Sequence, residues 1–477
     1  MSGGFRSRST GRRQAKANPR TEKGAKPRQD HKIAPVSIGD PAREAAWEVV
    51  LRVAVDGAYA NLTLPRLLRD RKITGRDAAF ATELTYGALR ALGVIDAVIS
   101  ESSSRPLDDI SPEVLAALRV GAYQLLYTRV EPHAAVDTSV RLVEAAGQGQ
   151  AKGFANAILR TISRTPTKQW IDKLAPEGEL ARRAFTTAHP EWIARSFAAT
   201  LGSEELDLAL AADSQRPIVH LVARPGEMTA AELAAVTGGE EGTFSPYAVY
   251  LPEGDPGELE PVREGLAAVQ DEGSQLIAWA LAEVEVEGDR GRWLDLCAGP
   301  GGKAALLGAL AGIDGAHVDA VEISDHRAEL VRKAVNGLPV TVHTADGRNP
   351  GLDEGFDRVL VDAPCSGLGA LRRRPEARWT KSESDIAQLN DLQEELLASA
   401  IKLTRPGGVV VYSTCSPDLR ETRGIVDKAL AAGEVAELDA RGLVGEMDNV
   451  GEGPSVQMWP HRHGTDAMFF AVLRKLG

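Results

Sequence analysis

Nowhere in the 477 residues does an apolar run approach the roughly 18 consecutive residues that a membrane span needs. The first thirty residues contain no apolar core of the kind that marks a secretory leader. Cysteine is scarce. Cys297, Cys365 and Cys415 are the whole complement, an odd number and too few for a secreted disulfide scaffold. These absences exclude membrane-spanning and disulfide-stapled classes and lead to the expectation of a cytoplasmic chain with reduced thiols. No membrane contact and no metal are expected, and a monomer is the simplest state.

What is present is a globular composition, with 43% hydrophobic and 26% charged residues, and a length that calls for two or three domains. The net charge of −12 is unevenly placed. Residues 1–33 carry ten Lys or Arg against Glu22 and Asp30, a net +8, which leaves −20 on the rest. With few apolar residues, the segment 1–38 is expected to be a disordered basic tail, suited to non-specific attraction to phosphates or simply to solubility.

Residues 39–165 read as helix after helix: Ala42–Val55, Asp77–Leu92, Pro112–Tyr127, Ala134–Ala146 and Gly153–Ser163, with breakers between them. Residues 166–265 are mixed and proline-punctuated, with strand-like Ile218–Val222 and Tyr247–Leu251, and are expected to form a small α+β connector. From 266 to 477 strands alternate with helices. The strands are predicted at Trp293–Leu296, His317–Val321, Val340–His343, Arg358–Val361 and Gly408–Ser413. That alternation predicts a parallel sheet covered on both faces, with ligands bound beyond the carboxyl ends of its strands.

The residues just past those ends carry the chemistry. After the first strand stands D-L-C-A-G-P-G-G-K, Asp295 to Lys303. Gly299, Gly301 and Gly302 let the backbone approach a ligand, and the next helix points its free N–H groups at it. Glu322, after the second strand, is placed to hold ribose hydroxyls. Asp346, after the third, is placed to meet an adenine amine. The run Gly299 to Ala304 also fits the relaxed G-x-G-x-x-A dinucleotide fingerprint, so a nicotinamide dehydrogenase remains a rival on this loop alone. The fourth strand ends in D-A-P-C-S-G (Asp362 to Gly367) and the fifth in S-T-C-S (Ser413 to Ser416), which places Cys365 and Cys415 on loops at the ligand edge.

Together these motifs resemble the RNA cytosine-carbon-5 methyltransferases. The helical segments Ala42–Val50, Phe80–Gly87 and Gly153–Arg160 resemble the NusB-type RNA-binding fold. That combination is similar to the RsmB (Sun/Fmu) family of small-subunit rRNA methyltransferases, from about residue 40 to the C-terminus. The resemblance implies a Rossmann-like α/β methyltransferase domain dependent on S-adenosylmethionine, preceded by an all-α NusB-like domain and the α+β connector. It implies a cofactor held by Cys297, Ala298, Gly299, Pro300, Gly301, Gly302, Lys303, Glu322, Asp346 and Asp362, and 16S rRNA as partner. It also implies Cys415 as the nucleophile and Cys365 as the residue assisting product release; DNA methyltransferases use the P-C cysteine instead.

The chemistry explains why thiols are needed. Carbon 5 of cytosine is too weak a nucleophile until a thiolate adds at carbon 6 and makes the ring an enamine. A carboxyl group at N3 and the exocyclic amine would favour that addition, and Asp362 is the candidate. An ordinary thiol is only a few per cent ionised near neutrality, so the site must compensate. Cys297 is given no catalytic part. Two departures from the family pattern, Glu421-Thr422 and the closing Asp466 to Phe470, are expected to lie away from the chemistry. Two basic clusters, Arg66–Lys72 and Leu371–Pro375, are read either as phosphate contacts or as solvated surface. The alternatives left open are a tRNA substrate and an RNA-binding factor with an inactive catalytic domain.

Overall fold

The computed structural model describes residues 33–477, so residues 1–32 of the expected basic tail lie outside the described residues, while Val36 and Ile38, expected within that tail, are buried in the core of the helical domain. Its first helix shows how local sequence sets the helical domain. Pro41 opens Pro41–Asp56 at a position that needs no amide donor, Asp40 accepts from the Arg43 N–H at 3.1 Å, and Gly57 stops the helix in the left-handed region. Six more helices follow: Ala60–Asp70, Gly75–Arg90, Leu92–Ser102, Pro112–Tyr127, Pro132–Ala145 and Lys152–Ser163. They share one core containing Trp47, Val50, Leu84, Ile95, Leu118 and Leu159. Two differences from the sequence reading stand out. The stretch read as Asp77–Leu92 is the helix Gly75–Arg90, and the next helix, Leu92–Ser102, which starts just past Ala91, was not foreseen. Ala60–Asp70 was not foreseen, because it buries only Ala60, Leu64 and Leu67 and its outer face is polar.

The connector begins with four short helices, Thr167–Leu174, Glu179–Thr186, Glu191–Leu201 and Leu206–Asp213. An antiparallel sheet follows, with strands β1 (Val219–Ala223), β2 (Glu240–Glu241), β3 (Ala248–Leu251) and β4 (Ala267–Val269) in the order β2-β3-β1-β4. Its last strand lies past residue 265, where the connector was expected to end.

The remaining strands are β5 (Arg292–Asp295), β6 (His317–Glu322), β7 (Val340–Thr344), β8 (Phe356–Asp362), β9 (Thr404–Thr414), β10 (Val435–Leu438), β11 (Val456–Gln457) and β12 (Phe469–Lys475). The order is β10-β12-β9-β8-β5-β6-β7, with β11 paired to β12. The sheet is mixed rather than wholly parallel, because β12 runs antiparallel to both β9 and β10. Both faces are covered, and the strands show it by alternation: Val410, Tyr412, Phe469 and Leu473 enter one core, whereas Val409, Val411, Phe470 and Val472 enter the other. Strand order reverses around β5, which opens a crevice at the carboxyl ends of β5 and β8.

The segment between β8 and the helix Glu383–Leu403 joins the three parts. Leu368 and Leu371 pack with Ile193, Phe197 and Leu210 of the connector. Glu376 accepts from the Ala60 N–H at 3.2 Å, and the Trp379 indole donates to the Leu89 carbonyl at 2.8 Å. The Trp379 ring lies so close to Gly93 that a side chain there would collide with it. Arg378 is fully buried and donates to the Asp213 carbonyl at 2.6 Å. The basic cluster Leu371–Pro375 is therefore largely not a phosphate surface. Arg372 bonds Asp466 at 2.7 Å, Arg373 bonds Asp271 at 2.7 Å, and Arg374 lies over the Tyr59 ring. In the other cluster Arg71 pairs with Glu48, while the Arg66 side chain is 81% exposed.

Candidate active site

Strands β5, β8 and β9 run parallel toward the mouth of the crevice: Asp362 pairs with Ser413 there, and Asp295, which closes β5, pairs with Leu360 two residues before Asp362. Asp362 accepts from the Lys303 ammonium at 2.9 Å and from the Ser413 hydroxyl at 3.0 Å. Lys303, expected among the cofactor ligands, thus leans across the site toward the strand that carries the thiols. Burial works against its charge. The Asp362 carboxylate, followed by Cys415 and Asp295, outweighs that and keeps the ammonium above its ordinary value. Asp295 is fully buried, and one of its carboxylate oxygens has no hydrogen-bond partner. Burial and then the Asp362 charge push its pKa up to about 7.

The glycine loop leaves β5 still tied to the sheet, with the Ala298 N–H bonded to the Val321 carbonyl at 2.9 Å. A side chain at Gly299 would run into the Glu322 carboxylate, so the loop and the end of β6 can meet only with glycine there. Pro300 is exposed, follows a cis peptide bond, and precedes the helix Gly302–Asp314 that starts at the crevice. Glu322 is 4% exposed; one oxygen accepts from the Ser324 N–H at 2.9 Å, and the other faces Arg327 at 3.5 Å. Arg327 also donates to the Gly299 carbonyl. Asp346 is gripped by Arg348, with the shortest contact 2.6 Å. Each of these acidic residues stands beside a half-exposed arginine. Ile323 follows Glu322 and is 64% exposed, an apolar flank that the sequence reading passed over.

A nucleoside with a cationic sulfur fits this set. The Asp295 oxygen without a partner, the Glu322 carboxylate, the Cβ-free loop and the helix N-terminus together offer acceptors, close approach and a favourable field for such a ligand. Cys297 is half-buried against the core under the loop, and burial holds its thiol well above the ordinary value.

The two remaining thiols face one another. The Ala363 N–H bonds the Ser413 carbonyl at 2.9 Å, and the Ser366 hydroxyl lies 3.3 Å from that of Ser416. Cys365 and Cys415 fall in register between those rungs. Contact with Cys415, reinforced by burial, holds the Cys365 thiol well above its ordinary value. Pro364 beside it is exposed, and both cysteines are half-buried.

The two family departures expected to lie away from this site do not. The buried Glu421 carboxylate accepts from the Ser366 N–H at 2.7 Å. The closing segment reaches the Cys415 loop through Gly369, whose N–H bonds the Cys415 carbonyl and whose carbonyl accepts from Ala467, both at 2.9 Å. Nothing in the local sequence announces either contact, since each partner is about 50 to 100 residues away.

Comparison with known proteins agrees with this layout. Residues 281–474 match the model of the 16S rRNA methyltransferase RsmB/F family, and residues 40–164 match the NusB family. The Mycobacterium tuberculosis protein Rv1407, itself named a methyltransferase only provisionally, is 57% identical over 92% of this chain and 97% of its own. Ribosomal RNA small subunit methyltransferase B of Klebsiella pneumoniae is 32% identical over 91% of this chain and 98% of its own. The crystal structure of PH0851 shares the fold, with a TM-score of 0.79 at 22% identity, covering 93% of this chain and all of that one.

Proposed function

The chain belongs to the RsmB/F family of 16S rRNA methyltransferases, and on that premise we propose that it methylates carbon 5 of a cytosine in small-subunit rRNA through a covalent bond to Cys415. The observation that carries this reading is the in-register pair Cys365 and Cys415, set beside the Lys303–Asp362 ion pair at the crevice. A site that only bound RNA would have no use for two apposed thiols.

S-adenosylmethionine, when bound by the glycine loop, Glu322 and Asp346, supplies an electrophilic methyl to carbon 5. The chain's own groups do the rest. Cys415 reacts as the thiolate, its proton leaving to solvent. The sulfur adds to carbon 6, and the ring electrons move to carbon 5. Asp362, anchored by Lys303 and Ser413, presents its carboxylate as an acceptor to the exocyclic amine. Once carbon 5 carries its methyl, Cys365 gives its proton to the departing Cys415 sulfur and takes the carbon 5 proton. The carbon 5–carbon 6 double bond re-forms as the carbon–sulfur bond breaks. Cys365 suits this because it rests as a neutral thiol against Cys415. The base must be unpaired, since carbon 6 is attacked perpendicular to the ring. The NusB-like helices supply RNA affinity in this account.

The test is methyl transfer in vitro, with tritiated cofactor and either unmodified small-subunit rRNA or tRNA. The expected result is one labelled rRNA site that reads as 5-methylcytosine after bisulfite sequencing. Label confined to tRNA, or to a base other than cytosine, contradicts the proposal.

A further inference from the structure

Glu421 is a buried ionisable group that the chemistry above leaves unused. It is fully buried, and among the described residues no Lys, Arg or His pairs with its carboxylate. Its partners are neutral groups drawn from the Cys365 loop and from the helix Glu383–Leu403. One oxygen accepts from the Ser366 N–H at 2.7 Å and from the Gln393 amide at 3.2 Å; the other accepts from the Ser366 hydroxyl. The same Gln393 amide donates to the Pro364 carbonyl at 2.9 Å, so both neighbours of Cys365 are held. On the other side, the Tyr412 hydroxyl donates to the Glu421 carbonyl at 2.9 Å, and Ser366 reaches Ser416. Residues before and after Cys415 are thereby fastened to the same anchor.

A carboxylate buried without a counter-charge is costly, and a glutamine would tie two loops at less expense. The three donors converging here explain the choice in part, because two acceptor oxygens receive them and an amide has only one. The charge itself explains the rest. After the Cys415 contact, burial and the Cys415 charge, Glu421 is the next influence holding Cys365 in its neutral form, with Asp362 behind it.

We infer that Glu421 is a positioning residue for product release, fastening the Cys365 loop to the Cys415 loop so that the thiols stay in line for proton exchange. This rests on the roles given to the two cysteines above. The experiment compares Glu421→Ala, Glu421→Gln and Cys365→Ala in the full chain with S-adenosylmethionine and rRNA. Glu421→Ala should keep the parent KM for RNA, turn over several-fold more slowly, and accumulate the denaturation-resistant protein–RNA species that Cys365→Ala accumulates. Glu421→Gln, which retains the Ser366 and Gln393 bonds to one oxygen, should restore most of the release. Parent-like turnover in Glu421→Ala overturns the inference. So does lost turnover without adduct when Cys365→Ala shows one, because that pattern marks local unfolding. If Cys365→Ala itself gives no adduct, the reading of the cysteines fails instead, and peptide-resolved alkylation then decides. In a Cys297→Ala background the pH midpoint for iodoacetamide labelling of Cys365 should fall in Glu421→Gln, and an unchanged midpoint overturns the inference.

Discussion

Replacing Asp295 by asparagine should stabilise the protein, and increasingly so as pH rises. Asp295 closes β5 with no exposed surface, accepts a single 3.3 Å bond from the Cys297 N–H, and leaves its second oxygen without a partner. Burial first, and the Asp362 charge second, move its pKa from 3.8 to about 7, with Lys303 pulling the other way and Glu322 adding to the rise. A carboxyl raised on folding gives stability that is complete below its unfolded value and is lost as pH climbs through the folded one. At roughly 1.4 kcal/mol per pH unit, the gap between 3.8 and about 7 caps the loss at about 4 kcal/mol. Asparagine removes it. In urea denaturation without cofactor, the advantage of Asp295→Asn over the parent should grow by about 2–3 kcal/mol between pH 5 and pH 8, then level off. A difference flat across that range, or one that shrinks, would show that Asp295 is ionised in the folded protein at pH 5 and refute the reasoning.

Glu322→Ala should weaken S-adenosylmethionine binding by about 1–3 kcal/mol, the scale for hydrogen bonds to a charged group, and calorimetry returning the parent affinity would remove Glu322 from the cofactor site. Trp379→Ala should cost the docking of the helical domain roughly 3 kcal/mol, the lower range for removing a packed tryptophan, and divide thermal unfolding into two transitions. A single transition at the parent temperature contradicts that. Deleting residues 1–165 should raise the KM for RNA and flatten its salt dependence. Since that deletion also uncovers Trp379, the full-length Trp379→Ala protein is the control, and a fragment with the parent KM refutes the division of labour.

The sequence made the crevice legible because its parts are local. Strand-ending acids, the glycine loop and both thiols each sit within a few residues of a strand end, where period and turn signals place them. The five parallel strands β5 to β9 were readable for the same reason, to within a few residues, whereas β10, β11 and β12 were not foreseen. What escaped depended on long-range pairing. The reversed strand β12 has the same alternation as a parallel one, so Phe469 to Lys475 carries no mark of its direction. Arg372 and Arg373 read as surface charge, yet they close buried pairs with Asp271 and Asp466, about a hundred residues away. Lys303 reads as part of the cofactor loop, and its ion pair with Asp362, 59 residues away, leaves no mark in the local sequence. Glu421 looked incidental because its partners belong to another loop.

The central claim, that Cys415 attacks the base and Cys365 frees it, is tested most directly by the protein–RNA adduct on denaturing gels. Purified Cys365→Ala, incubated with S-adenosylmethionine and unmodified small-subunit rRNA, should accumulate a species that survives denaturation and disappears with ribonuclease. Cys415→Ala and the double variant should bind RNA and show none. An adduct that appears with Cys415→Ala and vanishes with Cys365→Ala would reverse the roles and contradict the account.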